Sequence, residues 1–99
     1  MNPMETLKKT GLPVAYGFFK EPTPLPYICY IGAGQVVHYH DNTNYYAEDN
    51  WQIELYFRKK DESLEKKIEQ ALSDGGYCYE KSEDAYIEDD GVFVIYYQV

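Results

Sequence analysis

The spacing of apolar residues changes once, between Trp51 and Leu72, and that change limits the folds open to this chain. From Trp51 to Phe57 the apolar positions alternate, at Trp51, Ile53, Leu55 and Phe57, with Gln52, Glu54 and Tyr56 between them. Alternation is the period of a strand that buries one face. From Asp61 the spacing becomes Leu64, Ile68, Ala71 and Leu72, which is one stripe of a helix. Asp61 can cap that helix, and Gly75 or Gly76 can end it in a left-handed conformation. A strand, the basic turn Arg58-Lys59-Lys60 and an amphipathic helix over about 61–74 therefore follow one another.

The flanking sequence adds shorter elements. Asn2-Pro3-Met4-Glu5 has the order of a helix start, with Asn as cap and Pro at the first helical position. A short helix over about 3–10 follows, with Met4 and Leu7 inward and Gly11 and Pro13 stopping it. Val14 to Phe19 reads as a first strand, and the alternate prolines at 22, 24 and 26 as a stiff connector. Tyr27 to Ile31 and Gln35 to His40 read as two strands joined by a hairpin turn at Gly32-Ala33-Gly34. After the main helix, Tyr77–Glu80 and Ala85–Glu88 are strand-like, and Asp89-Asp90-Gly91 turns into a last strand, Val92 to Val99, apolar on both faces. The order predicts a single α+β domain over residues 1–99: a mainly antiparallel sheet with the 61–74 helix packed on one face.

Charge narrows the partners. The net charge is −8, and residues 74–90 hold seven acids and one base, Lys81. Such a surface repels phosphate backbones and anionic lipid, so neither direct nucleic-acid binding nor membrane binding is expected. No stretch approaches the roughly 18 apolar residues of a membrane span. Cys29 and Cys78 lack C-x-x-C spacing, and the expectation is two buried, reduced thiols in a cytosolic setting. The 12 tyrosines suit half-buried strands and protein interfaces, because each ring is apolar with a polar tip.

Chemistry is sparse. On a strand His38 and His40 share a face and both could reach one metal ion, but no third ligand is evident beyond Asp41, Glu48 or Asp49. Two solvent-facing histidines at a strand end are the plainer reading, so metal: none. No serine lies in a nucleophile elbow, and the glycines at 32 and 34 do not open a helix. The expectation is a protein that is not an enzyme and takes no cofactor. Interaction surface is sought instead at Arg58, Lys59 and Lys60, as a patch for an acidic surface, and at Phe93, Ile95 and Tyr97, as the outer apolar face of the last strand. A small monomeric protein-binding adaptor, or a metal-dependent small-molecule binder using His38 and His40, stands as the alternative.

In their order and spacing, Leu12-Pro-Val-Ala-Tyr16, Pro26-Tyr-Ile-Cys-Tyr30, Asp41-Asn42 before Tyr45, and Ile53-Glu-Leu-Tyr-Phe57 with Lys60-Asp61 carry a resemblance. It continues through Leu64-Glu65 and Ile68-Glu69, Tyr79-Glu-Lys-Ser-Glu83 and Tyr96. The chain resembles the small tail-completion, or head–tail joining, proteins of long-tailed phages and prophages of Gram-positive bacteria, often labelled minor capsid proteins. The resemblance implies a structural protein in the virion neck or tail, assembled in the host cytoplasm. Its partners would be itself, in a ring of six copies, with tail-tube protein and head–tail connector proteins. Six copies would carry about −48, a field that keeps the walls of a DNA channel from binding the DNA.

Overall fold

The structure, a computed structural model, describes residues 2–39 and 45–99. Helix α1 (Met4–Lys8) leads into strand β1 (Val14–Tyr16), and two long strands follow, β2 (Tyr27–Tyr39) and β3 (Tyr45–Phe57). Helix α2 (Glu62–Asp74) precedes three short strands, β4 (Glu80–Lys81), β5 (Ala85–Ile87) and β6 (Val92–Gln98). The six strands form one sheet ordered β1-β2-β3-β6-β4, with β5 also paired to β6. Only β1 with β2 is parallel; the other pairings are antiparallel. The fold is α+β, with both helices on one face of the sheet.

That face is set by alternation. Ile53 and Leu55 of β3 lie beside Tyr30 and Ile28 of β2 and beside Tyr97 and Ile95 of β6. All six are buried with Ile68 and Leu72 of α2 and Leu7 of α1 in one core. Asp61 caps α2, its carboxylate accepting the Leu64 N–H at 3.1 Å. The helix ends at Gly75, and Gly76 takes the left-handed conformation at φ +84°. A Cβ on Gly75 would lie 2.9 Å from the Thr6 hydroxyl, so the bare backbone here lets α1 dock against the end of α2. The Asn2 side chain accepts the Met4 N–H at 2.9 Å, as its place before Pro3 predicts.

Several expectations need correction. Gly32-Ala33-Gly34 is not a hairpin turn: β2 runs through it as one strand of 13 residues, and a bulge between Gly32 and Gln35 absorbs the irregularity. Gly34 supplies the positive φ, +96°, that such a bulge uses. The first strand stops at Tyr16, because Gly17 turns to φ +77°. Glu80 and Lys81 alone form β4; Tyr77 to Tyr79 pair with no strand among the described residues. Cys29 is buried, whereas Cys78 is exposed; both are free thiols. None of the described helices is long and apolar enough to cross a membrane.

Candidate functional site

Past the bulge the β2–β3 pair leaves the body of the sheet. β1 covers the outer edge of β2 from Ile28 to Tyr30, and β6 covers β3 from Gln52 to Phe57. Beyond those positions the strands pair with each other alone, from Gln35↔Asp49 to Tyr39↔Tyr45. Five residues on each strand at about 3.3 Å each make an arm about 16 Å long, on a molecule 51 Å in its longest dimension. The apolar side chains of the arm lie in solvent: Val36 is 44% exposed, Val37 39%, Tyr39 76%, Tyr45 68% and Tyr46 49%. Tyr39 and Tyr45 face each other across the strands with ring centroids 6.2 Å apart. On the opposite side His38 stacks on Tyr46 at 4.6 Å, and its Nε2 lies 3.1 Å from Glu48 Oε2. Gln35 Nε2 donates to Asp49 Oδ1 at 2.9 Å. Among its described residues the arm thus combines exposed aromatics with two carboxylates and no lysine or arginine.

The other end of β3 has the opposite character. Phe57 is the last strand residue, and Arg58, Lys59 and Lys60 form the turn into α2. Beside them is a cleft of about 450 Å³ lined by Leu25, Pro26, Phe57, Leu64, this basic turn and the helix-capping Asp61. Lys60 is committed to the fold. Its ammonium lies 2.8 Å from Glu65 Oε2 and 2.9 Å from Asp84 Oδ2. Those two carboxylates hold its pKa above the ordinary lysine value, Glu65 most strongly. Arg58 and Lys59 are exposed and make no ion pair among the described residues.

Glu65 is the acid that sequence reasoning missed. It is 3% exposed and receives Lys60 on one oxygen and Lys81 on the other, each at 2.8 Å. Lys81 also reaches Glu69 at 2.9 Å, and Glu69 accepts the Tyr97 hydroxyl at 2.8 Å. Burial pushes the Glu69 carboxyl up, but the bonds from Lys81 and Tyr97 outweigh it, and its pKa falls below the usual value. The pKa of Tyr97 rises, first through burial and then through its bond to Glu69. These groups fasten α2 to β4 and β6. The spacing held the clue: Glu65 stands three and seven positions before Ile68 and Leu72, inside the buried stripe.

The sheet face away from the helices carries Tyr27, Cys29, Glu54, Tyr56 and Tyr96, partly beneath the 17–26 connector. Phe19 of the connector meets the Tyr27 ring at 4.9 Å, and Tyr56 donates its hydroxyl to Glu54 at 2.9 Å. The Cys29 thiol is pushed up to about 11 by burial and then by the Glu54 carboxylate, which keeps it protonated and unreactive.

The residues proposed from sequence therefore divide. Arg58 and Lys59 are exposed at a cleft, and Lys60 is half-exposed but ion-paired. Ile95 and Tyr97 are each 0% exposed and belong to the core, so they are not a contact surface. Phe93 is half-buried on the same side, stacked on Phe57 at 5.6 Å. The last strand has two apolar rows, and the row at 93, 95 and 97 lies beside Leu55 and Ile53 and so faces the helices. The other row offers little in its place, because Val92 and Val94 are buried too. His38 pairs with Glu48, and His40 lies outside the described residues; no group of three metal-binding side chains occurs among those described. The arm, absent from the predicted interaction residues, holds most of the exposed large apolar side chains. A scan against protein-family models and a search of curated proteins find no match for this chain.

Proposed function

We propose that this chain is a structural subunit acting through protein–protein contacts, as a tail-completion or neck-ring protein at the head–tail joint of a long-tailed phage. The observation that carries the contact role is the arm: a two-stranded ribbon with Val36, Val37, Tyr39, Tyr45 and Tyr46 exposed and, among the described residues, pairing only within itself. An isolated two-stranded ribbon is marginal in water, and exposed apolar patches mark sites of association. The arm supports a role in assembly over one in catalysis. The placement at a phage head–tail joint rests on the sequence resemblance alone.

Native mass spectrometry of the full chain, alone and with the tail-tube protein of the same phage genome, tests the reading. Rings of the chain, alone or seated on tail tube, are the expected result. A strictly monomeric chain with no affinity for tail-tube or connector protein overturns it.

A further inference from the structure

We propose that the arm of one copy seats in the cleft beside Arg58 and Lys59 of the next copy, which makes the ring contact head-to-tail. This rests on the ring reading and adds to it the two surfaces that meet. Strand β3 carries both of them at its two ends. At its start, Tyr45 with Tyr39 gives an aromatic end, and Glu48 and Asp49 follow. At its finish, twelve steps or about 40 Å away, Phe57, Leu25 and Leu64 line an apolar cleft, with Arg58 and Lys59 exposed on its rim.

The two ends complement each other in two respects. The cleft volume of about 450 Å³ falls within the roughly 300–1,000 Å³ of sites that enclose small molecules, so it can take aromatic side chains. Asp49 shares the strand face of Tyr45 and lies four residues, about 13 Å along the strand, from it, whereas Glu48 lies on the other face beside His38. With the aromatic end in the cleft, Arg58 and Lys59 can reach the arm's carboxylates. A contact between two different patches of one chain repeats by rotation and closes into a ring or continues as a filament. Arg58 and Lys59 outnumber Asp61 on the cleft, so a basic partner is disfavoured there, and the net charge of −8 repels nucleic acid; the local match to the acidic arm favours a second copy.

Two measurements test this. First, a zero-length carboxyl–amine crosslinker is applied to a mixture of isotopically light and heavy full-length chains, with and without tail-tube protein. Mixed-isotope crosslinks from Glu48 or Asp49 to Lys59 are expected, and their absence overturns the proposal. Second, E48K/D49K and R58E/K59E variants are made; all four sites are exposed. Each variant alone should self-associate about tenfold or more less tightly, and an equimolar mixture should recover, because each arm then meets a cleft of opposite charge. Unimpaired self-association of R58E/K59E, or no recovery in the mixture, also overturns the proposal. Rings without arm–cleft crosslinks remove this contact but leave the joint role standing, whereas no rings and no tail-tube binding remove both.

Discussion

The same two strands make the most buried and the most exposed parts of this molecule. Between Ile28 and Tyr30, and between Ile53 and Phe57, β2 and β3 lie under α2 with β1 on one side and β6 on the other, and their inward side chains are at most 4% exposed. Past the bulge, the same strands, paired in a shifted register and still alternating, show Tyr39 at 76% and Tyr45 at 68%. Residue type does not separate the two halves, since both are rich in β-branched and aromatic side chains. The layers around them do. A strand pair holds its shape by its ladder, but burial is the larger stabilising term and needs a second layer. The body finds that layer within its own chain, and the arm does not.

The largest effect should come from breaking the body. Ile68→Asp or Leu55→Asp places a carboxylate at a site 0% or 1% exposed. A loss of roughly 3–5 kcal/mol would unfold most single domains of this size, read as loss of the cooperative thermal transition. An unchanged melting temperature for Ile68→Asp would show that the core does not depend on the α2 stripe.

A smaller, pH-dependent effect sharpens where the body is fastened. The folded-state pKa of Glu69 lies below its ordinary 4.5, so its contribution is present above that pH and is lost as pH falls through the folded value. Tyr97 and Lys81 shift the other way, above their ordinary 10.0 and 10.5, the former by burial and then Glu69, the latter chiefly by Glu65. Their contribution is present below those values and is lost as pH rises through the folded ones. Urea midpoints against pH should fall on both sides, and Glu69→Gln should flatten the acid limb. A midpoint that falls as steeply in Glu69→Gln as in the parent would place the acid sensitivity elsewhere.

The smallest effect on stability should come from the arm. Tyr39→Ser with Tyr45→Ser should move the unfolding free energy by no more than about 0.5 kcal/mol, while self-association or tail-tube binding falls. A large loss of monomer stability would mean that the arm packs on the body after all, and the contrast between the two halves of the ribbon would fail.

How much was legible follows from the same contrast. Trp51–Leu72 carries two clean periods and a capping Asp, so the Trp51–Phe57 half of β3, α2 and their contact were readable from sequence, whereas the strand from Tyr45 to Asn50 was not. The alternation in Val92–Val99 shows two apolar rows but not which one meets the helices, because both are made of large apolar residues. That choice comes from pairing with Ile53 and Leu55, which is a long-range fact. Gly32-Ala33-Gly34 reads as a turn because glycine supplies a positive φ equally to a turn and to a bulge. The exposure of the arm was not legible, since Val36-Val37 has the composition of a buried strand. Glu65 was hidden for the opposite reason: a carboxylate is ordinarily taken for a solvated residue, and its burial depends on Lys60 and Lys81, which approach from other elements.

The bulge at Gly32–Gln35 has a mechanical consequence. All of the described arm lies beyond that one joint, so the joint acts as the pivot of a lever about 16 Å long. A turn of roughly 10° there would carry Tyr39 and Tyr45 about 3 Å sideways, close to the rise of one strand residue. In an assembly whose copies touch through their arms, the angle from one copy to the next would then be set by the backbone of three small residues. The size of the closed ring would be written at this pivot, away from either contact surface.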